Sequence, residues 1–204
     1  MKKVLEKKER SLGVKLGLKS SRCASPKCAL IRKPYAPGVH KNKSFRRKVS
    51  EYGTQLAEKQ KIRFTYGLTD GQLRRVFEAA NAEGKSGAEG VLDLLERRLD
   101  SVVYGLGLAD GRRRAKQLIS HGHFWVNGRK VTNSSFLLRE GDEIRVRPES
   151  ADFNYFKVRR EELKNYEPPV WLSLDKDEFK GKVVGRPKEV VVPFDINLVV
   201  DYYA

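Results

Sequence analysis

The chain has 204 residues, enough for one or two packed domains, and carries 42 Lys and Arg against 26 Asp and Glu, a formal net charge of +16. That excess calls for a polyanionic partner; with no apolar run near the roughly 18 residues that span a bilayer, a membrane is not the expected one. Two cysteines, Cys23 and Cys28, give no disulfide framework and fit a reducing cytoplasm. The opening MKKVLEKKERSLG is basic without an apolar stretch behind it, so it is not expected to act as a secretory signal.

The charge is unevenly placed. Residues 1–50 hold 16 basic and 2 acidic side chains, whereas residues 51–204 hold 26 and 24. Residues 1–49 therefore read as a basic arm. Its KPYAPGVHKNKSFRRK stretch, with Pro34, Pro37 and Gly38, predicts extended chain without a core of its own, of the kind that orders on RNA. Tyr35, Phe45 and Tyr52 lie among its cations, where aromatic rings can stack on bases.

A helix is predicted over 50–66, with Gly67 as its stop. Thr69-Asp70-Gly71-Gln72 is a capping box opening a helix that buries Leu73, Val76, Phe77 and Ala80. Ser86-Gly87-Ala88-Glu89 is another, expected to open one helix through Leu92, Leu95 and Leu99. Asp110 is the expected N-cap of the helix beginning at Arg112. There Ala115, Leu118 and Ile119 form an apolar stripe, and Arg112, Arg113 and Lys116 are expected to face water or a partner. Gly122 ends the helix, Phe124 to Val126 reads as a strand, and Asn127-Gly128 predicts a hairpin whose return strand starts at Arg129 and Lys130. Gly141-Asp142 marks a turn, and Glu143 to Arg147 alternates as a half-buried strand does. Residues 151–166 look helical, Pro168-Pro169 breaks that run, and Trp171, Leu172 and Leu174 are candidate core residues. The apolar tail VVVPFDINLVVDYY is expected to dock on the globule as helix or strand. The fold class is α+β: a basic extended N-terminal arm, a helical domain, and helices packed on a small antiparallel sheet.

At this point the residues reach a known family. The segment LLERRLDSVVYGLGLADGRRRAKQLISHGHFWVNGRKV, Leu94 to Val131, resembles the RNA-binding domain named after bacterial small-subunit ribosomal protein S-four. That module also occurs in RNA-modifying enzymes. The flanks PYAPGVH, EYGTQLAEKQKIRFTYGL, PPVWLSLD and VVDYY are similar to the ribosomal family itself, so the likeness covers nearly the whole chain. It implies a basic arm at 1–49, a helical domain at 50–93 on which the tail 190–204 docks, the RNA-binding domain at 94–157, and an extension at 158–189. It also implies a non-enzymatic, cytoplasmic constituent of the small (30S) ribosomal subunit that binds 16S rRNA early, nucleates assembly of the subunit body and contributes to translational accuracy. The implied partners are proteins S-five and S-three and messenger RNA where it enters the subunit. No nucleophile-plus-base constellation is evident, and GKSG lacks the spacing of a phosphate-binding loop. The alternative is a free-standing RNA-binding or stress protein with the same module.

Cations that neutralise phosphates are the candidate site. In the module they are Arg112, Arg113, Lys116, Arg129 and Lys130, with His121 and His123 at the corner. In the arm and first helix they are Arg22, Lys33, Lys43, Arg46, Arg47, Lys48 and Lys59, with Tyr52 and Gln55. Trp125 is expected to pack in the hairpin. Many relatives hold zinc with four cysteines near the N-terminus. Here only Cys23 and Cys28 remain, Glu6 and Glu9 stand where the earlier pair aligns, and His40 is the one further candidate donor. Two thiolates do not complete a tetrahedral zinc site, so no cofactor is expected.

Overall fold

The computed structural model describes residues 5–23, 25–38, 49–84, 87–188 and 190–203. The chain divides into two compact units, Met1–Ala88 with Val191–Ala204, and Glu89–Val190.

The first unit opens with three helices, α1 (Leu5–Leu12), α2 (Ser20–Cys23) and α3 (Ala29–Arg32). This corrects the extended, coreless arm for residues 5–32, whereas residues 33–38 carry no helix or strand. Leu16, Cys23 and Cys28 are buried together with Glu9, whose side-chain Oε1 accepts from the amides of Leu16 (3.0 Å) and Leu18 (3.2 Å). A carboxylate that satisfies two loop amides can organise a segment poor in apolar side chains, and apolar periodicity gives no sign of it. Lys43, Arg46, Arg47, Lys48 and His40 lie outside the described residues.

Helix α4 (Glu51–Thr65) is capped by Ser50, whose hydroxyl accepts from Gly53 N. Helix α5 (Asp70–Ala82) has both bonds of the Thr69–Gln72 capping box, at 3.2 and 3.1 Å. Leu73, Phe77 and Ala80 are buried beneath it, while Val76 sits half-buried at the rim. The tail forms a C-terminal helix (Asn197–Tyr203) against α4 and α5. Tyr66 meets Phe194 edge-on, and the rings of Phe77 and Tyr203 lie 4.7 Å apart.

The second unit begins with α6 (Ala88–Glu96) and α7 (Leu99–Gly105). The single helix expected through Leu99 is thus two. Arg98 leaves helical geometry (φ −64°, ψ 140°) to form a bridge with Leu137, and Leu99 N donates to Phe136 O at 2.8 Å. That partner lies some forty residues downstream, so nothing local signals the break. Ser86 lies outside the described residues.

There follow α8 (Arg112–Ser120), β1 (Phe124–Val126), β2 (Arg129–Lys130), β3 (Glu143–Val146), α9 (Pro148–Ala151), α10 (Asn154–Leu163), β4 (Leu172–Asp175) and β5 (Lys180–Val183). The strands form one antiparallel sheet in the order β2-β1-β3-β5-β4. The class is α+β, as expected. The β4–β5 hairpin was not anticipated. Its turn is held by Asp175 Oδ1, which accepts from Asp177 N and Glu178 N, and Phe179 enters the core at φ 53°. One core joins helices and sheet through Leu99, Val103, Leu106, Ile119, Phe124 and Ile144, among others. Gly181 lets the sheet close on this layer, since a Cβ there would stand 2.3 Å from Leu106 Cδ1.

Candidate nucleic-acid interface

The corner between α8 and the β1–β2 hairpin is rigid for local reasons. Ala115, Leu118 and Ile119 are buried, which fixes the roll of α8. Gly122 then reverses the chain at φ +76°, a conformation costly for side chains with a Cβ. The stem of Lys130 lies directly over it, with Cε 2.3 Å from where a Cβ would stand. Asn127 (φ 48°) and Gly128 (φ 76°) make the tight turn. The Asn127 side chain also ties that turn to β3, donating to Asp142 Oδ1 at 2.7 Å and accepting from Glu143 N at 2.9 Å.

The helix start differs from expectation. The N-cap is Gly111, without a side-chain cap, rather than Asp110. Asp110 lies one residue too early, where Oδ1 accepts from Tyr155 Oη (3.3 Å) and stands 3.9 Å from Arg114 Nε.

The cations of α8 divide into two sets. Arg113 is exposed, as expected. Arg112 and Lys116 turn inward, which corrects the outward orientation predicted for them. Arg112 Nη2 donates to Glu96 Oε1 at 2.8 Å, and its guanidinium lies 4.7 Å from the Tyr104 ring centre. Lys116 Nζ stands 3.4 Å from Asp100 Oδ2. Asp100 is 1 % exposed and also receives both arms of the buried Arg98 guanidinium, at 3.1 and 2.9 Å. Burial pulls the Lys116 ammonium below its ordinary pKa, and Asp100 opposes that fall.

Arg129, Lys130 and His121 are exposed at the same corner. His123 is half-buried. Its Nδ1 is 2.9 Å from Ser150 Oγ, and its ring stacks on Phe153 at 5.8 Å. Burial, with His121 and Arg147 nearby, lowers its pKa from the usual histidine value.

On the outer sheet face, register places Lys130, Trp125, Arg145 and Lys180 side by side across β2, β1, β3 and β5. Arg145 covers the Trp125 ring at 4.6 Å. The alternation of β3 pointed Arg145 outward. Lys180 and Lys182 were missed because Lys-Gly-Lys-Val offers too little apolar pattern to read as a strand.

In the first unit Arg22 and Lys33 are exposed, and Arg22 Nε lies 3.1 Å from Glu6 Oε1. Tyr52 is exposed beside Tyr202, and Gln55 is half-buried. Lys59 is engaged internally: Nζ donates to Tyr202 Oη at 3.3 Å and stands 3.7 Å from Asp70.

Among the described residues no group of three His, Cys, Asp or Glu could hold a metal. The Glu9 carboxylate is committed to two amides and lies 3.8–3.9 Å from Cys23 Sγ. Burial, followed by smaller effects that include Glu9, raises the Cys23 thiol pKa, so it stays protonated at neutral pH. Two thiols and a carboxylate already bonded to two amides fall short of the four donors of a tetrahedral zinc site.

A cationic helix–hairpin corner on a small antiparallel sheet defines the class: an RNA-binding module joined to a mainly helical unit. The model of the ribosomal protein S4/S9 N-terminal domain matches residues 2–96, and that of the S4 domain matches residues 97–144. The chain is 45% identical over 194 residues to small ribosomal subunit protein uS4 of Pelotomaculum thermopropionicum, covering 94% of this chain and 92% of that protein. It is also 45% identical to the uS4 proteins of Acetivibrio thermocellus, over 195 residues, and Thermus thermophilus, over 196, with the same coverage. The chain belongs to the uS4 family of small ribosomal subunit proteins, a structural and non-enzymatic family.

Proposed function

We propose that this protein is a structural constituent of the small subunit of the cytoplasmic ribosome and that it binds 16S rRNA through exposed cations of both units. The observation that carries this reading is the α8–hairpin corner. Arg113, Arg129 and Lys130 stand exposed there on a rigid frame, with no ion pair among the described residues. Such groups neutralise phosphates and release counterions, so shape and backbone rather than base sequence are what they grip. Arg22, Lys33 and Tyr52 extend the contact set in the first unit. Arg112, Lys116 and Lys59 serve it indirectly, by fixing α8 and α4.

The finer reading is that binding occurs early, nucleates the body of the subunit and contributes to decoding accuracy, beside proteins S-five and S-three and the incoming messenger. It rests on the family resemblance. The test is titration of the full-length protein with 16S transcript across a salt series, paired with quantification in mature subunits. Tight binding at low salt that weakens steeply as salt rises, with one copy per subunit, is the expected result. Indifference to the transcript, or absence from mature particles, overturns the reading.

A further inference from the structure

The Asn127-Gly128 turn carries chemistry as well as shape. An asparagine that precedes a glycine can cyclise: the Gly128 amide nitrogen attacks Asn127 Cγ, a succinimide ring closes, and Nδ2 leaves as ammonia with the proton displaced from Gly128. Water then opens the ring at either carbonyl and leaves aspartate or its isoaspartyl isomer. In sum, a side-chain amide and water become a carboxyl group and ammonia, with no oxidant, reductant or enzyme. Glycine favours the step because it has no Cβ to crowd its own nitrogen. Asn127 is the one asparagine of the sequence followed by glycine, and both residues are exposed.

The fold opposes this reaction. Asn127 Nδ2, the leaving nitrogen, donates to Asp142 Oδ1 at 2.7 Å, and Asn127 Oδ1 accepts from Glu143 N at 2.9 Å. The main-chain N–H of Asn127 donates to Glu143 O at 2.9 Å. Attack makes Cγ tetrahedral and swings its oxygen and nitrogen away from these partners, so the bonds have to open first. Asp142 is itself an anchored post: its Oδ2 accepts from Arg139 N at 2.7 Å and its carbonyl from Val183 N at 3.0 Å. The product could not return to this arrangement. A carboxylate at position 127 has no N–H to offer Asp142 and repels it, and the isoaspartyl isomer adds a carbon to the main chain of a tight turn. The new negative charge would also stand next to the exposed Arg129 and Lys130.

We propose that Asn127 is a spontaneous modification site at the cationic corner, a deamidation site held shut by its bonds to Asp142 and Glu143 and released when the hairpin parts from β3. That the product also binds RNA more weakly rests on the RNA-binding reading above; the modification itself does not.

The test follows the full chain at mildly alkaline pH by peptide mass spectrometry, which resolves each asparagine, together with an isoaspartyl assay. In denaturant Asn127 is expected to react faster than every other asparagine, Asn133 included. In the native chain its rate is expected to fall by about 10-fold or more, and Asp142→Ala, still folded by circular dichroism, is expected to recover about 10-fold, the factor that one lost hydrogen bond to a charged group represents. Asp142→Asn keeps an acceptor oxygen without its charge; it serves if the alanine variant is unfolded, with about a 3-fold gain expected. Native and denatured wild type reacting equally fast, or a folded Asp142 variant reacting no faster than native wild type, overturns the gate. Another asparagine reacting first in denaturant overturns the site. For the consequence, Asn127→Asp is expected to bind 16S transcript about 3- to 10-fold more weakly near physiological salt. Equal affinity overturns that consequence alone. A wild-type chain that ignores the transcript overturns the RNA reading and leaves the deamidation result standing.

Discussion

In the unit spanning Glu89–Val190, Arg97, Arg98, Arg112 and Lys116 each meet a buried carboxylate, Asp93, Glu96 or Asp100. In the N-terminal lobe of the other unit, the one buried carboxylate, Glu9, serves backbone amides instead, and Lys7, Lys27, Arg32 and Lys33 have no ionic partner among the described residues. Positive charge in a sequence therefore has two fates. Where an acid is buried beneath it, a cation becomes part of the frame; where none is, it remains available to a ligand. Counting Lys and Arg along α8 overstates what that helix offers RNA, while the same count understates how concentrated the N-terminal charge becomes once three short helices fold around it.

The sharpest way to break this contrast is to remove the acid at its centre. Asp100→Ala leaves Arg98 buried without its bidentate partner and is expected to destabilise the second unit by about 3–5 kcal/mol. The denaturant midpoint measures it, and a loss below about 1 kcal/mol would mean these pairs are dispensable. Next in size is the comparison of neighbours on α8. Arg112→Ala, at a partly buried pair, is expected to cost about 2–3 kcal/mol, and Arg113→Ala less than about 0.5. RNA affinity should reverse the emphasis: Arg113→Ala makes the salt slope shallower by about 1 in a protein of wild-type stability. If both substitutions act alike in both assays, the division into frame and ligand cations fails.

In the N-terminal lobe the corresponding substitution is Glu9→Ala. It removes the acceptor of two amides and is expected to cost about 2 kcal/mol, read as faster hydrogen exchange at Leu16 and Leu18. Added zinc is expected to restore none of it, because the remaining residues do not form a donor set. Rescue by one equivalent of zinc would show that Cys23 and Cys28 retain a metal site.

These cases also show what could be read from the chain before folding. The Thr69–Gln72 box, the α8 stripe, the Asn127-Gly128 turn and the β3 alternation are local patterns, and each survives in the structure as read. The failures are nonlocal. Arg112 finds Glu96 sixteen residues back, on another helix. Arg98 breaks the expected helix to meet Leu137. Glu9 replaces apolar periodicity with a hydrogen-bonded turn, so a lobe with real burial looked like an extended arm. The β4–β5 hairpin escaped because Gly181 faces the core, where size rather than hydrophobicity is selected. The candidate site was legible as a set of charges, but their orientation depends on carboxylates distant in sequence.

The smallest expected effect concerns His123, which sits at the cationic corner without adding to its charge at neutral pH. Burial is the main cause of its lowered pKa, and the ring is held between Ser150 and Phe153. The unfolded chain takes up a proton near the ordinary histidine value of about 6.5, whereas the folded chain resists until the pH is lower. Stability contributed by the neutral ring is therefore complete above that value and is lost as pH falls toward the folded pKa. Wild type is expected to lose more stability between pH 7.5 and 5.5 than His123→Phe, which keeps the stack on Phe153 and Phe156 but cannot titrate. Denaturant midpoints at the two pH values give the difference directly. Equal losses in both proteins would mean that the folded ring takes up its proton as readily as the unfolded one, so that burial does not hold it neutral.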